Sequence, residues 1–361
     1  MSLAFNLPIN SVSFGQISTL ILRELFKSNK ETLLIPIGNP DLSTQSDISQ
    51  QFTEWIQNAI NESLVKHSKK NKIFKLWHIN GSFESFSDNQ VLLSFYELDQ
   101  PTLVELNTVK NNHKVLFSSK ETVDIYKNLG CKNVDYIPLA FDKYNFNRID
   151  KTYFIDDRIV FNLVGKLEKR KHHLKLIQLW AKKFGNNKKY ALQCSISNPF
   201  LKPEDQNNII VQSLQGKSYF NINFLPFMGQ NKIYNDFLNS ANIVIGMSGG
   251  EGWGLPEFHS VALGKHAVMM NAHGYKSWVN EDNSVLVEPN SKTEAYDGVF
   301  FHKGHPYNQG NIYDFNEDDF ISACELAIKR VEKDKINKAG LKLQDEFTSE
   351  KLLNNIISHI Q

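Results

Sequence analysis

The chain has 361 residues, 41% of them hydrophobic, with 40 Lys and Arg against 39 Asp and Glu. That length exceeds one ordinary core and suits two, and the apolar content excludes a disordered chain. The balanced charge excludes a global pull toward nucleic acid or an anionic membrane, although it leaves open peripheral contact with a membrane surface.

Cys131, Cys194 and Cys324 are far apart and form no CxxC pair, so they suggest neither a zinc site nor a disulfide framework. A reducing, cytoplasmic setting suits them. At the start of the chain Leu20-Ile21-Leu22 is cut short by Arg23 and Glu24, and no uncharged apolar run reaches the roughly 18 residues needed to span a bilayer. A soluble protein is expected.

The first half alternates short apolar runs with helical periodicity, the signature of βαβ units. Strands are predicted at Ala4–Ile9, Thr32–Pro36, Lys72–Ile79, Val91–Tyr96, Lys114–Ser118 and Asn133–Pro138. Helices are predicted from Ile17 to Phe26, from Phe52 to Lys66, from Pro101 and from Glu121 to Leu129. Gly15 lies in a polar loop, Ser11–Gln16. Asp142–Asp157 is polar and aperiodic and reads as a linker. A second series then begins, with strands at Ile159–Val164, Tyr190–Ser195, Ile222–Leu225, Ile243–Gly246 and Ala267–Met270. Its helices are predicted at Leu174–Phe184, at Asn231–Asn239, from near Pro256, at Glu317–Val331 and at Ser349–Ile360. The pattern predicts an α/β protein of two doubly wound parallel-sheet domains, 1–150 and 151–345, whose ligands bind beyond the carboxyl ends of the strands.

The segment Ser248-Gly249-Gly250-Glu251-Gly252-Trp253-Gly254-Leu255-Pro256 holds four glycines in six residues and opens a helix. Glycines let a backbone approach a ligand closely, and the free N–H groups with the helix dipole favour an anion. A tight turn without a ligand would use similar residues. The composite of strand, Ser, Glu-Gly-aromatic-Gly-Leu-Pro and helix is more specific. It resembles the donor-site motif of the retaining GT-B glycosyltransferases of family 4, in which two Rossmann-like domains face each other across a cleft. In that family the first Glu, here Glu251, touches the donor sugar, and a second Glu eight residues later touches the ribose. The second position is His259, a departure from the pattern, though an imidazole can still bond a ribose hydroxyl.

Gly165-Lys166-Leu167-Glu168-Lys169-Arg170-Lys171 follows a strand and resembles the family's phosphate-binding element, with Lys166 on the Arg position and Lys171 on the Lys position. Fixed cations there would stabilise the charge that builds on a departing diphosphate. A solvated basic loop is the competing reading. In the N-terminal half, Phe95-Tyr96-Glu97-Leu98-Asp99-Gln100-Pro101 is similar to an element of mannosyltransferase-like members. The likeness as a whole runs from about Phe5 to Val287. The resemblance implies that Gly15 lies where the backbone approaches donor phosphate and acceptor, and that His78 meets the donor sugar. A turn glycine and a structural histidine are the alternatives. Trp77 and Trp253 either line the cleft or fill the core, and Glu97 and Asp99 either bind acceptor hydroxyls or form a solvated acidic loop.

The resemblance implies a hexosyltransferase that moves a hexose from a nucleotide-diphosphate sugar to a hydroxyl acceptor with retention of configuration. The donor would be a UDP-sugar or GDP-sugar, and the acceptor a glycan, a lipid-linked molecule or another hydroxyl. Lys166, Lys171 and the Gly249–Gly252 amides would hold the diphosphate, and Glu251 and His78 the sugar. Ser248, Trp253, Gly254, Leu255, His259 and Gly15 complete the expected donor-binding set. No Asp-x-Asp stands at a strand end, so neither a metal nor a cofactor is expected. The helix Ser349–Ile360 is expected to cross back onto the N-terminal domain. Competing readings are a nucleotide-sugar epimerase, a non-catalytic sugar-nucleotide or glycan binder, and a phage-type DNA-base glucosyltransferase, against which the near-zero net charge argues.

Overall fold

A computed structural model describes residues 3–149 and 157–361. The first domain runs β1 (Leu3–Pro8), α1 (Ser13–Lys27), β2 (Thr32–Ile37), α2 (Gln50–Lys66), β3 (Ile73–Leu76), β4 (Gln90–Ser94), α3 (Leu103–Asn111), β5 (Lys114–Phe117), α4 (Lys120–Asn128) and β6 (Val134–Tyr136). Its six strands are parallel in the order β2-β1-β3-β4-β5-β6. Every residue of β1 is buried, as a strand covered on both faces requires. Helix α1 starts four residues before the predicted Ile17 and takes Gly15 into its first turn. Phe14 explains the difference: its buried ring stacks on Phe95 and His78, and this anchors a turn that looks polar in sequence.

The second domain runs β7 (Ile159–Val164), α5 (His173–Phe184), β8 (Tyr190–Ser195), α6 (Pro203–Ser213), β9 (Ile222–Phe224), α7 (Asn231–Ser240), β10 (Ile243–Gly246), α8 (Leu255–Ala262), β11 (His266–Met270) and β12 (Val285–Val287). These six strands, also parallel, lie in the order β12-β11-β10-β7-β8-β9. Chain order reverses between β7 and β10, and the crevice beyond their carboxyl ends is where doubly wound sheets place ligands. A hairpin follows, β13 (Pro289–Glu294) and β14 (Asn311–Phe315), with a 16-residue connection, 295–310, between its strands. Then come α9 (Glu317–Lys333), α10 (Lys338–Leu341), α11 (Leu343–Glu346) and α12 (Ser349–Ile360).

The last helix leaves the domain that precedes it. Leu352, Leu353, Ile356, Ile357 and Ile360 are buried, and α12 packs on α1 and β3 of the first domain. Ser349 Oγ donates to Glu24 Oε1 at 2.7 Å. Of the expected linker, residues 150–156 lie outside the described residues, as does the expected boundary at 150. The segment just before them is built into the fold. Phe146 is buried, and the Asn147 N–H donates to Asn235 Oδ1 in α7 at 3.1 Å. Among the described residues no helix is long and apolar enough to cross a membrane.

Candidate donor site

Two loops of the second domain meet at the reversal point. After β7 the chain turns at Gly165, whose φ of +100° suits a residue without Cβ, and the short helical turn Lys169–Lys171 leads into α5. After β10 the loop 247–254 leads into α8. Arg170 stitches the two together. Its carbonyl accepts from the Gly249 N–H at 2.8 Å, and its Nη1 donates to the Gly250 carbonyl at 2.7 Å. Ser248 Oγ also donates to the Arg170 carbonyl.

The same guanidinium is the centre of a buried ion cluster. Nη1 lies 2.5 Å from Glu251 Oε1, Nε 2.7 Å from Glu168 Oε2, and Nη2 2.9 Å from Glu97 Oε1. Lys171 Nζ is 2.6 Å from Glu251 Oε1 and 3.5 Å from Glu257 Oε1. Lys166, more exposed, pairs with Glu168 Oε1 at 3.1 Å and sits over the Phe300 ring. Burial alone would raise the Glu251 carboxyl, but Arg170 and Lys171 hold it at about 2. Desolvation pushes the Glu97 carboxyl up to about 7, with Arg170 opposing and Glu251 and Glu168 adding.

Glu97 belongs to the first domain, so the cluster spans the cleft. Across the cleft the first domain presents the loops after β1, β3 and β4. The rings of His78 and Phe14 are 4.5 Å apart, and desolvation followed by the Lys166 charge lowers the imidazole pKa. The glycine-rich loop touches this side directly. A Cβ on Gly250 would lie 2.3 Å from the Glu97 carbonyl oxygen, and one on Gly252 2.7 Å from Phe95 Cβ. The contact of two backbones across the cleft is what glycine at these positions permits.

The structure therefore brings together Glu251, Lys171, Ser248, Gly249, Gly250 and Gly252, with Lys166 and His78 at the rim. Gly254 (φ +81°) and Leu255 form the entry to α8. Four sequence expectations are corrected. The Gly249 amide is taken by Arg170 and is not free for a phosphate. Trp253 is 2% exposed and packs in the core against Phe258 and Phe347, so its ring does not line the cleft. Gly15 sits in α1, and a Cβ there would lie 2.1 Å from the Asn10 carbonyl oxygen, so the close approach is to its own preceding loop. His259 is buried between Phe141 and Phe146, with Nδ1 donating to the Leu255 carbonyl at 2.7 Å and Nε2 accepting from the Asp142 N–H at 3.3 Å. Nδ1 serves its own helix and Nε2 the segment leading out of the first domain, which leaves neither for a ribose.

Sequence reading passed over Arg170, because a cation in a run of cations carries no sign of being central. It also passed over Glu168 and His273. His273 follows β11 with φ +46°, is buried, and packs its ring on Tyr313; among the described residues both ring nitrogens lack hydrogen-bond partners. No cluster of three or more His, Cys, Asp or Glu among the described residues has metal-binding geometry.

No protein-family model matches the chain, and no curated protein sequence matches it. Solved structures do. A sucrose-phosphate synthase from Thermosynechococcus elongatus is 12% identical with a TM-score of 0.67, over 99% of this chain and 98% of that one. Anabaena HepE in complex with UDP and glucose gives the same identity, TM-score and coverage. The lipopolysaccharide outer core galactosyltransferase WaaB is 14% identical with a TM-score of 0.64, over 99% of each chain. The chain thus has the GT-B fold of these glycosyltransferases.

Proposed function

We propose that the protein is a glycosyltransferase that moves a hexose from a nucleotide-diphosphate sugar to a hydroxyl acceptor, with retention and without a metal. The observation that carries this reading is the convergence of Glu251, Arg170 and Lys171 at the reversal point of the second sheet, faced across the cleft by His78 and Glu97. The HepE structure, which holds UDP and glucose in the same fold, supports a donor of this class.

Lys166, Arg170 and Lys171 would stabilise the charge that develops on the departing diphosphate, and Glu251 would orient the sugar through its hydroxyls. Arg170 reaches a donor phosphate once Glu97 gives up its place on the guanidinium. Donor entry therefore goes with separation of the two cleft faces, and closure with reassembly of the site. The leaving phosphate would itself take the acceptor's proton as the glycosidic bond breaks, so no side-chain base is assigned.

The test is release of nucleoside diphosphate from a panel of UDP- and GDP-sugars, with and without EDTA, and the anomeric configuration of the product by NMR. Wild type should turn over one donor in EDTA with retention, and Glu251→Gln should lower the rate at least 100-fold. Inversion, or activity abolished by EDTA, would overturn those parts of the reading. A second reading, a sugar-nucleotide binder without turnover, is favoured by one observation: each of the three cations already has a carboxylate partner. Tight binding with no turnover would select it.

A further inference from the structure

The hairpin and its connection, residues 289–315, lie beyond the last residue of the sequence resemblance. A connection of 16 residues without helix or strand is long for a compact domain, and such segments commonly carry function. This one is a strap held by both domains. Its base belongs to the second domain. Lys169 Nζ donates to the Glu294 and Tyr296 carbonyls, the Tyr313 N–H donates to the Gly249 carbonyl, and Lys175 pairs with Asp314 at 2.8 Å. Phe300 walls a cavity of about 390 Å³ against α5 and α6.

The other side of the strap holds the first domain. Asp99 accepts from the Asn311 N–H at 2.7 Å and pairs with Lys292 at 2.8 Å. The Gln100 N–H donates to the Gln309 carbonyl at 3.3 Å, and Thr102 Oγ1 donates to the Pro306 carbonyl. Glu105 accepts from the Asn308 N–H at 2.9 Å, and Tyr313 Oη donates to Glu121 Oε1 at 2.8 Å. Ala295, Phe301 and Ile312 share a buried cluster with Ile79, Tyr96 and Leu98. Because the base is fixed to the second domain, the two cleft faces cannot part until these bonds open.

Asp99, Gln100 and Thr102 lie on one loop between β4 and α3, and that loop also carries Glu97. The Glu97 carboxylate is 2.9 Å from Arg170 Nη2, and its carbonyl meets the backbone of Gly250. A carboxylate and a phosphate accept from a guanidinium through the same fork of N–H donors, so Glu97 stands where a phosphate oxygen would bind. We propose that the strap is an interdomain latch. By gripping Asp99, Gln100 and Thr102 it keeps Glu97 seated on Arg170, the ligand-free chain rests closed and self-blocked, and a donor enters only after the strap releases this loop. The blocking role of Glu97 rests on the donor reading above; the latch itself does not.

Amide hydrogen exchange and stopped-flow association of UDP and GDP are measured on the full chain as wild type, Asp99→Ala, Tyr313→Phe and Glu97→Gln, each shown folded by circular dichroism. Two amides report the latch without touching Asp99. The Asn308 N–H reports the strap on Glu105, and the His273 N–H, which donates to Glu121 Oε2 at 3.2 Å, reports separation of the domains. Asp99→Ala should speed exchange at both by roughly 10-fold, the change expected for losing hydrogen bonds to a charged group, and should speed nucleotide association. Tyr313→Phe removes a different grip and should also speed exchange at Asn308. Glu97→Gln should speed nucleotide association with exchange at Asn308 unchanged, because it clears the guanidinium and leaves the strap in place. Unchanged exchange at Asn308 and His273 in both strap variants would overturn the latch. Faster exchange with no gain in nucleotide association, in Asp99→Ala or in Glu97→Gln, would overturn the blocking role of Glu97 and leave the donor reading standing. No binding of UDP or GDP by any of the four proteins would overturn the donor reading and the blocking role together, with exchange at His273 still deciding the latch.

Discussion

The two faces of the cleft are built from different chemistry. The second domain presents a buried ion cluster, in which Arg170 and Lys171 are shared among Glu168, Glu251 and Glu257. The first domain presents aromatic rings, Phe14, His78 and Phe95, and sends one carboxylate, Glu97, across to Arg170. Both faces lie at the carboxyl ends of parallel strands, so topology does not cause the difference. An ion cluster in low dielectric fixes the position of every charge in it, because moving one partner strands the others. A stack of rings is held by area and shape and tolerates a range of occupants. On the proposed donor reading, the charged face would hold the phosphate and the aromatic face the acceptor.

The largest test of this contrast is Arg170→Met. It leaves Glu251 and Glu168 buried without their shared cation, and should cost about 3–5 kcal/mol in urea unfolding. A loss under about 1 kcal/mol would mean that the cluster is not a unit. Phe14→Ala should cost about 3 kcal/mol by cavity formation, with little change in nucleotide binding. Nucleotide affinity lost along with stability would show that the two faces do not divide the work.

His259→Glu installs the residue that the resembled motif carries at this position and sharpens the comparison where the chain leaves the first domain. A carboxylate there would be buried among Phe141 and Phe146 beside the Asp142 backbone, and should cost about 1–3 kcal/mol without tightening nucleotide binding. Tighter binding would put position 259 back in the donor site.

Two carboxylates on one guanidinium should titrate in opposite senses. Glu251, held at about 2 against an ordinary 4.5, adds stability that is complete above pH 4.5 and is lost as pH falls toward 2. Glu97, raised to about 7, keeps a proton that the unfolded chain releases. Its contribution is greatest below pH 4.5 and declines as pH rises to 7. Melting temperature against pH should therefore show a shallower acid slope in Glu251→Gln and a shallower decline between pH 4.5 and 7 in Glu97→Gln, each beside the slopes that other shifted carboxyls such as Glu350 and Glu105 contribute. Equal slopes in both variants would dissolve the distinction. The smallest effect is expected at the rim, where the half-exposed Lys166→Ala should change stability by less than about 1 kcal/mol.

Much of the fold was legible along the chain. The strands Tyr190–Ser195 and Ile243–Gly246 and the helix Ser349–Ile360 stand where their apolar periodicity places them. Helix α6 was missed because Ser213 is its one fully buried residue, so no stripe marks it. The hairpin strand β13 was missed because five of its six residues are exposed and nothing alternates. In the site, the Gly-rich loop and the basic run were visible as local composition. Their partner assignments were not, since a run of four cations in six residues does not say which one is turned inward.

The sequence alone determined the local requirements: apolar strands long enough for a parallel sheet, glycines where two backbones must touch, and cations and carboxylates in loops that follow strands. These follow from periodicity and steric limits within a few residues. Tertiary structure decided which charges meet. Arg170 and Glu251 are 81 positions apart, and Glu97 comes from another domain. It also decided that His259 holds the segment leading out of the first domain, that Trp253 fills the core, and that the strap closes a cavity on one domain while docked on the other. Such pairings depend on how two sheets and their connections pack, and burial then multiplies the energy of each pairing that forms.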